Sequence, residues 1–252
     1  MIKKTSLRQA ALAAILSVPF WQTPALADPL PPAFAPVPQR GEHWEARHAE
    51  KLRQIAEKGP DIDLVFLGDS ITQALENPGS AKIVAETFPG KTILNLGYSA
   101  DKTENVLWRL RNGEIDGISP EAVIVLIGTN NTGHRQDPPQ ITANGIGLIV
   151  DQLRAKLPNA KIVLLSIFPR TDGPGNQLLQ LNQQINALLP SLADGKSVFH
   201  FDINETFLDA NGTVPLDVMP DRLHLSEKGN ALWMKALKPR LDQILPPPSP
   251  SP

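Results

Sequence analysis

Five short apolar runs punctuate the chain: Asp63 to Leu67, Thr92 to Leu96, Ala122 to Ile127, Lys161 to Ser166 and Val198 to Phe201. Runs of this length, rich in Val, Ile and Leu, suit strands buried on both faces of a parallel sheet. The spacing between them is helical, as in Ile146, Ile149, Val150, Leu153 and Leu157, and in Leu178, Leu181, Ile185 and Leu188. Alternating strands and helices predict one α/β domain, a three-layer α/β/α flavodoxin-like sandwich around a five-stranded parallel sheet. Ahead of the first run, Trp44, His48, Leu52 and Ile55 share one helical stripe, which predicts a helix packed on the domain.

Composition changes at both ends. Lys3, Lys4 and Arg8 precede an apolar stretch from Ala10 to Phe20, and Ala25-Leu26-Ala27 fits a signal-peptidase site, so residues 1–27 read as a signal peptide. The apolar stretch is too short, and too interrupted by Pro19, to suit a permanent membrane span. The expected location is secreted or periplasmic. Residues 28–40 are proline-rich and read as an extended linker, 41–245 as the folded domain with its N-terminal helix, and 246–252 as a proline-rich disordered tail. With no cysteine, a lipoprotein anchor and a disulfide framework are excluded, and a domain of this size is stable without such staples.

Loss of the leader would remove three positive charges and take the formal charge from −2 to −5. A mildly acidic chain without a basic run is a poor partner for nucleic acid or an anionic membrane. Small neutral or zwitterionic esters fit better.

The candidate chemistry sits at strand ends. Ser70 follows the run Val65-Phe66-Leu67-Gly68-Asp69, and Asp221-Arg222-Leu223-His224 lies far downstream. A serine hydroxyl attacks a carbonyl only if a base takes its proton, and histidine is the usual base. Asp221, three residues before His224, is placed to hold the imidazole in one tautomer from a single tight turn. A tetrahedral intermediate needs donors for its oxyanion. Gly97 ends the second run and Gly128-Thr129-Asn130-Asn131 follows the third, offering close backbone approach and a neutral amide.

The order Gly68-Asp69-Ser70, Gly97, Gly128-Thr129-Asn130 and Asp221-Arg222-Leu223-His224 resembles the SGNH hydrolases, also called GDSL esterases and lipases. The nearest branch holds the catalytic subunits of the intracellular platelet-activating-factor acetylhydrolase and many secreted bacterial acetylesterases. Supporting stretches are Val106-Leu107-Trp108-Arg109-Leu110-Arg111-Asn112-Gly113-Glu114 and Phe168-Pro169-Arg170, and the resemblance runs from Asp61 to Leu245. It implies the same sandwich fold, Ser70 as nucleophile, His224 as base and Asp221 as its orienter. It also implies an oxyanion hole of the Ser70 and Gly97 N–H groups with the Asn130 side chain. The pattern departs at Tyr98-Ser99-Ala100-Asp101, where relatives often carry glycine in place of Ala100. Relatives also form dimers, so a homodimer is one arrangement the resemblance implies.

Each residue has a plainer reading. Ser70 can cap the helix starting near Ile71, Asp69 can cap or brace the loop, and the glycines and asparagines can be turn formers. Asp69 is read as a supporting brace and Asn131 as structural. His43, His48 and His200 read as surface or satisfied histidines, and His134 as a residue near the cleft. No clustered ligand set appears, and Gly145-Ile146-Gly147 lacks the setting of a dinucleotide loop, so no metal or cofactor is expected. The expected function is an exported serine esterase that removes small acyl groups, acetyl first, from acetylated carbohydrate. The alternatives are a lipase, lysophospholipase or thioesterase with the same triad, or a non-catalytic carbohydrate-binding module on this fold.

Overall fold

The computed structural model describes residues 30–170 and 175–245. The expected signal peptide and the proline tail 246–252 lie outside the described residues. The five expected strands form with boundaries shifted by a residue or so: β1 Leu64–Gly68, β2 Ile93–Gly97, β3 Ala122–Leu126, β4 Lys161–Leu165 and β5 Val198–Phe201. All neighbours pair in parallel, in the order β2-β1-β3-β4-β5. That is the flavodoxin-like order, whose switch point falls between β1 and β3.

Every residue of β1 and β3 is buried, because helices cover both faces. On one face Val65, Leu67, Leu94, Leu96, Val123 and Val125 pack against α1 (Glu42–Lys58), α4 (Thr103–Arg111), α6 (Pro139–Lys156) and α7 (Gln177–Asn186). On the other, Phe66, Ile124 and Leu126 pack against α2 (Ser70–Gln73), α3 (Pro78–Thr87) and α8 (Glu227–Ile244), whose Trp233 is fully buried among Phe66 and Phe168. The register pairs Gly68 with Gly97 on one side and with Leu126 on the other, so three loops leave the sheet at one level. Open parallel sheets bind ligands at that carboxyl edge. The remaining helix, α5 (Thr129–Arg135), starts there.

The proline-rich stretch is not an extended linker where it is described. Pro32–Phe34 form a single 3-10 turn, Ala33 is fully buried, and Thr103 Oγ1 donates to Ala33 O at 3.0 Å. Asn105 Nδ2 holds Val37 O, and Val37 N–H reaches Glu104 O. Proline presets φ for such a turn. The segment can settle on α6 because Gly145 has no side chain: a Cβ there would lie 2.8 Å from Ala33 O.

Candidate active site

Asp69 starts the site by ending β1. Its backbone is extended and its Oδ1 accepts the Ile71 N–H at 3.0 Å, so it caps the four-residue helix α2. Ser70 thereby becomes the first helical residue, half-buried, at the carboxyl end of the sheet. Asp69 is a brace as read, yet a costly one: it is almost wholly buried, and its Oδ2 has no partner among the described residues.

His224 and Asp221 come from one turn between β5 and α8. Asp221 Oδ1 accepts the N–H groups of Leu223 (3.0 Å) and His224 (2.7 Å), while Oδ2 lies 2.6 Å from His224 Nδ1. The bend needs Arg222 in the left-handed region, at φ +59°. With Nδ1 donating to Asp221, Nε2 is left as an acceptor, and it lies 2.8 Å from Ser70 Oγ. Burial pushes the Asp221 carboxyl up. The hydrogen bonds from the His224 ring and from the His224 and Leu223 backbone outweigh this and hold it below its ordinary range. The three groups thus form a chain along which a proton can leave Ser70.

The structure corrects one expected donor. Gly97 N–H is already committed to Asn95 Oδ1 at 2.8 Å, and Asn95 Nδ2 donates in turn to Thr72 O. Glycine is needed at 97 for another reason: a Cβ there would lie 2.2 Å from Gln73 N, against the first turn after Ser70. Further along the same loop, Ala100 adopts φ +62°, and neither its N–H nor that of Ser70 has an acceptor among the described residues. Asn130 is buried at the start of α5 and donates one Nδ2 hydrogen to Asp101 O at 3.0 Å, leaving the other for a ligand. Asn131 holds Thr103 and Asp137 and so ties α5 to α4. His134 is exposed; burial, then the charges of Lys102 and Arg170, hold its pKa down.

A left-handed alanine costs roughly 1–2 kcal/mol where glycine costs little, offset in part by glycine's greater freedom in the unfolded chain. Ala100→Gly is therefore expected to stabilise the protein by about 0.5–1 kcal/mol with hydrolysis retained, as read by denaturant unfolding. A loss of stability would mean that the methyl group is needed for packing.

Beneath these loops lies a buried ionic network that the sequence reading missed. Arg109 donates Nε to Asp101 Oδ2 at 2.8 Å and Nη1 to Glu114, and its Nη2 reaches Gly68 O and Leu96 O at 3.3 Å each. All three side chains are fully buried. Trp44 Nε1 and Gln39 Nε2 also donate to Asp101 Oδ1, and Tyr98 OH donates to Glu114. The network carries the loop whose Asp101 carbonyl holds Asn130. Its only signal in the sequence was charge set into the apolar face of α4.

On the opposite flank, Arg170 Nη1 donates to Thr129 O at 2.9 Å. Burial drives the Asp69 carboxyl up to about 7; Asp101 adds to this, while the Ile71 hydrogen bond and the charges of His224 and Arg170 oppose it. A raised carboxyl pKa means that the folded state binds the proton more tightly. This contribution to stability is complete below the ordinary value of 3.8 and is lost as pH rises through about 7. Asp69→Asn keeps the cap and stays neutral. The difference in melting temperature between variant and wild type is expected to grow in favour of the variant from pH 4 to pH 8. A pH-independent difference would place the Asp69 titration elsewhere.

Fold and constellation together define a serine hydrolase of the GDSL type. The chain belongs to the GDSL-like lipase/acylhydrolase family, whose model matches residues 66–232. It is 36% identical over 219 residues to the human platelet-activating factor acetylhydrolase IB subunit alpha1, covering 85% of this chain and 91% of that protein. Among solved structures it is similar to a GDSL-like lipase from Bacteroides thetaiotaomicron (TM-score 0.63, 19% identity, 79% of this chain and 100% of that one). It is also similar to Axe2, an acetylxylan esterase from Geobacillus stearothermophilus (TM-score 0.59, 19% identity, 74% and 95%). The protein is a hydrolase acting on ester bonds.

Proposed function

We propose that the protein is an exported serine acetylesterase acting on acetylated carbohydrate through an acyl-Ser70 intermediate. The observation that carries the serine chemistry is the unbroken chain from Ser70 Oγ to His224 Nε2 and from His224 Nδ1 to Asp221. Ser70 Oγ attacks the ester carbonyl as its proton passes to His224 Nε2, and Asp221 stabilises the imidazolium. The oxyanion is met by the Ser70 and Ala100 N–H groups and by Asn130 Nδ2, with Ala100 taking the place first assigned to Gly97. His224 returns the proton to the departing alcohol. It then takes one from water, whose oxygen attacks the acyl carbon, and passes it to Ser70 Oγ as the acyl–oxygen bond breaks, releasing acid and free Ser70.

Export rests on the leader-like composition of residues 1–27, and it points to a substrate outside the cytoplasm. Acetyl is the acyl group named in both the human relative and the acetylxylan esterase, while the alcohols differ. The second reading, an acetylated phospholipid, is favoured by the identity to the human acetylhydrolase subunit.

Hydrolysis of p-nitrophenyl esters from acetyl to long acyl by the mature protein, with Ser70→Ala alongside, tests the acyl group. Serine-dependent activity should peak at acetyl. A peak at long chains would replace this reading with a lipase, and absence of activity on every chain would favour a binding module.

A further inference from the structure

A cleft of about 330 Å³ opens between the start of the domain and the loop carrying Ala100, walled by Gln39, Arg40, His43, Gln73, Ser99 and Ala100 among others. It adjoins the reacting centre, because Gln73 is three residues on from Ser70 in α2 and Ala100 bears one of the N–H groups proposed for the oxyanion. Its outer wall, residues 39–47, lies outside the stretch matched by the family model. The volume falls within the range of small-molecule sites. An acetyl group does not need it.

The lining decides the chemistry. No Leu, Ile, Val, Met or Phe faces this cleft, and most of its wall is built from polar and charged residues. Trp44 and Tyr98 are buried beneath it, and the rest of the wall offers an array of hydrogen-bonding groups. Arg47, also on the wall, donates Nε to Gly97 O (2.7 Å) and Nη1 to Glu76 Oε2 (2.8 Å). Its Nη2 is buried without a partner among the described residues. Gln73 spends its Oε1 on Ser99 N–H, at 2.7 Å, and its Nε2 has no acceptor among the described residues. The Ser99 hydroxyl is likewise unengaged there.

From this lining we infer that the cleft is the subsite for the alcohol portion of the ester, taking a sugar ring, with the N-terminal segment 39–47 as its specificity-determining wall. This rests on the carbohydrate reading above and adds to it the residues that would impose the preference. Hydroxyl groups of the ring would occupy the unengaged donors.

The test compares wild type with Arg40→Ala/His43→Ala and, separately, with Ser99→Ala, which removes an unengaged hydroxyl and leaves the Gln73–Ser99 backbone bond in place. Arg40 and His43 are exposed and belong neither to the triad nor to the buried network. Values of kcat/KM are measured on p-nitrophenyl acetate, on acetylated xylotriose and on 1-alkyl-2-acetyl-glycerophosphocholine. The expected result is a loss of tenfold or more on the acetylated oligosaccharide, carried mainly by KM, with p-nitrophenyl acetate within twofold. If wild type and both variants hydrolyse the oligosaccharide equally well, the subsite is overturned while the carbohydrate reading stands. If wild type hydrolyses p-nitrophenyl acetate and the phospholipid but no acetylated oligosaccharide, the carbohydrate reading falls and the sugar subsite with it. An equal loss on all three substrates would mean that the variants disturb the catalytic centre, and would also overturn the inference.

Discussion

Ser70→Ala is expected to lower kcat on p-nitrophenyl acetate by about 10⁶-fold, leaving only what binding and the oxyanion donors supply. His224→Ala should cost about as much, and the double variant little more, because nucleophile and base act as one unit. Asp221→Asn should cost less, on the order of 10⁴-fold or below. Its side chain is 56% exposed, so water can take over part of its role toward the His224 ring. Steady-state kinetics on purified variants, with circular dichroism to show the fold intact, would check the order. Ser70→Ala within a few-fold of wild type would remove Ser70 from the mechanism.

The second large effect is on stability. Arg109→Leu would leave Asp101 and Glu114 buried without the guanidinium that both share. Removing one member of a buried ionic group typically costs about 3–5 kcal/mol, because the remaining charge stays buried without its counter-charge. In a domain of this size that corresponds to a melting temperature lower by roughly 10 °C. Arg109→Lys should recover part of this, keeping the charge but not the fork that reaches Asp101, Glu114 and the carbonyls of Gly68 and Leu96 together. A change below about 1 kcal/mol for the leucine variant would mean that the carboxylates protonate at little cost.

Much of the architecture was legible because it depends on pattern. Buried parallel strands read as unbroken apolar runs, and the five found were the five expected, with ends such as Ser166 and Ile127 falling just past the ladder. The Ser70, Asn130, Asp221 and His224 positions were legible because each follows a strand end in a recognisable order. What the pattern could not carry was the direction of individual N–H groups. Gly97 and Ala100 lie three residues apart in one loop, and only backbone geometry shows that the first donates to Asn95 while the second is left unengaged. The departure at Ala100, where relatives often have glycine, was the available clue, since it marks a backbone with positive φ. Arg109 was hidden for a different reason: an arginine near a helix C-terminus ordinarily reads as solvated, and nothing in the pattern says that the nearby carboxylates of Asp101 and Glu114 fold back to be buried beside it. The 28–40 stretch misled because proline suits both extended chain and a tight turn against a surface, and Ala33 alone is too small to signal burial.

The turn that carries Asp221 and His224 also bears on the fate of the acyl group. The His224 side chain is 38% exposed, so the base stands at the protein's edge and not at the end of a closed channel. After departure of the alcohol in the proposed mechanism, water would approach this base from bulk solvent and outnumber any other acceptor. In the proposed mechanism this would favour hydrolysis of the acyl-enzyme over transfer to a second alcohol, a bias set by solvent access and not by the nucleophile.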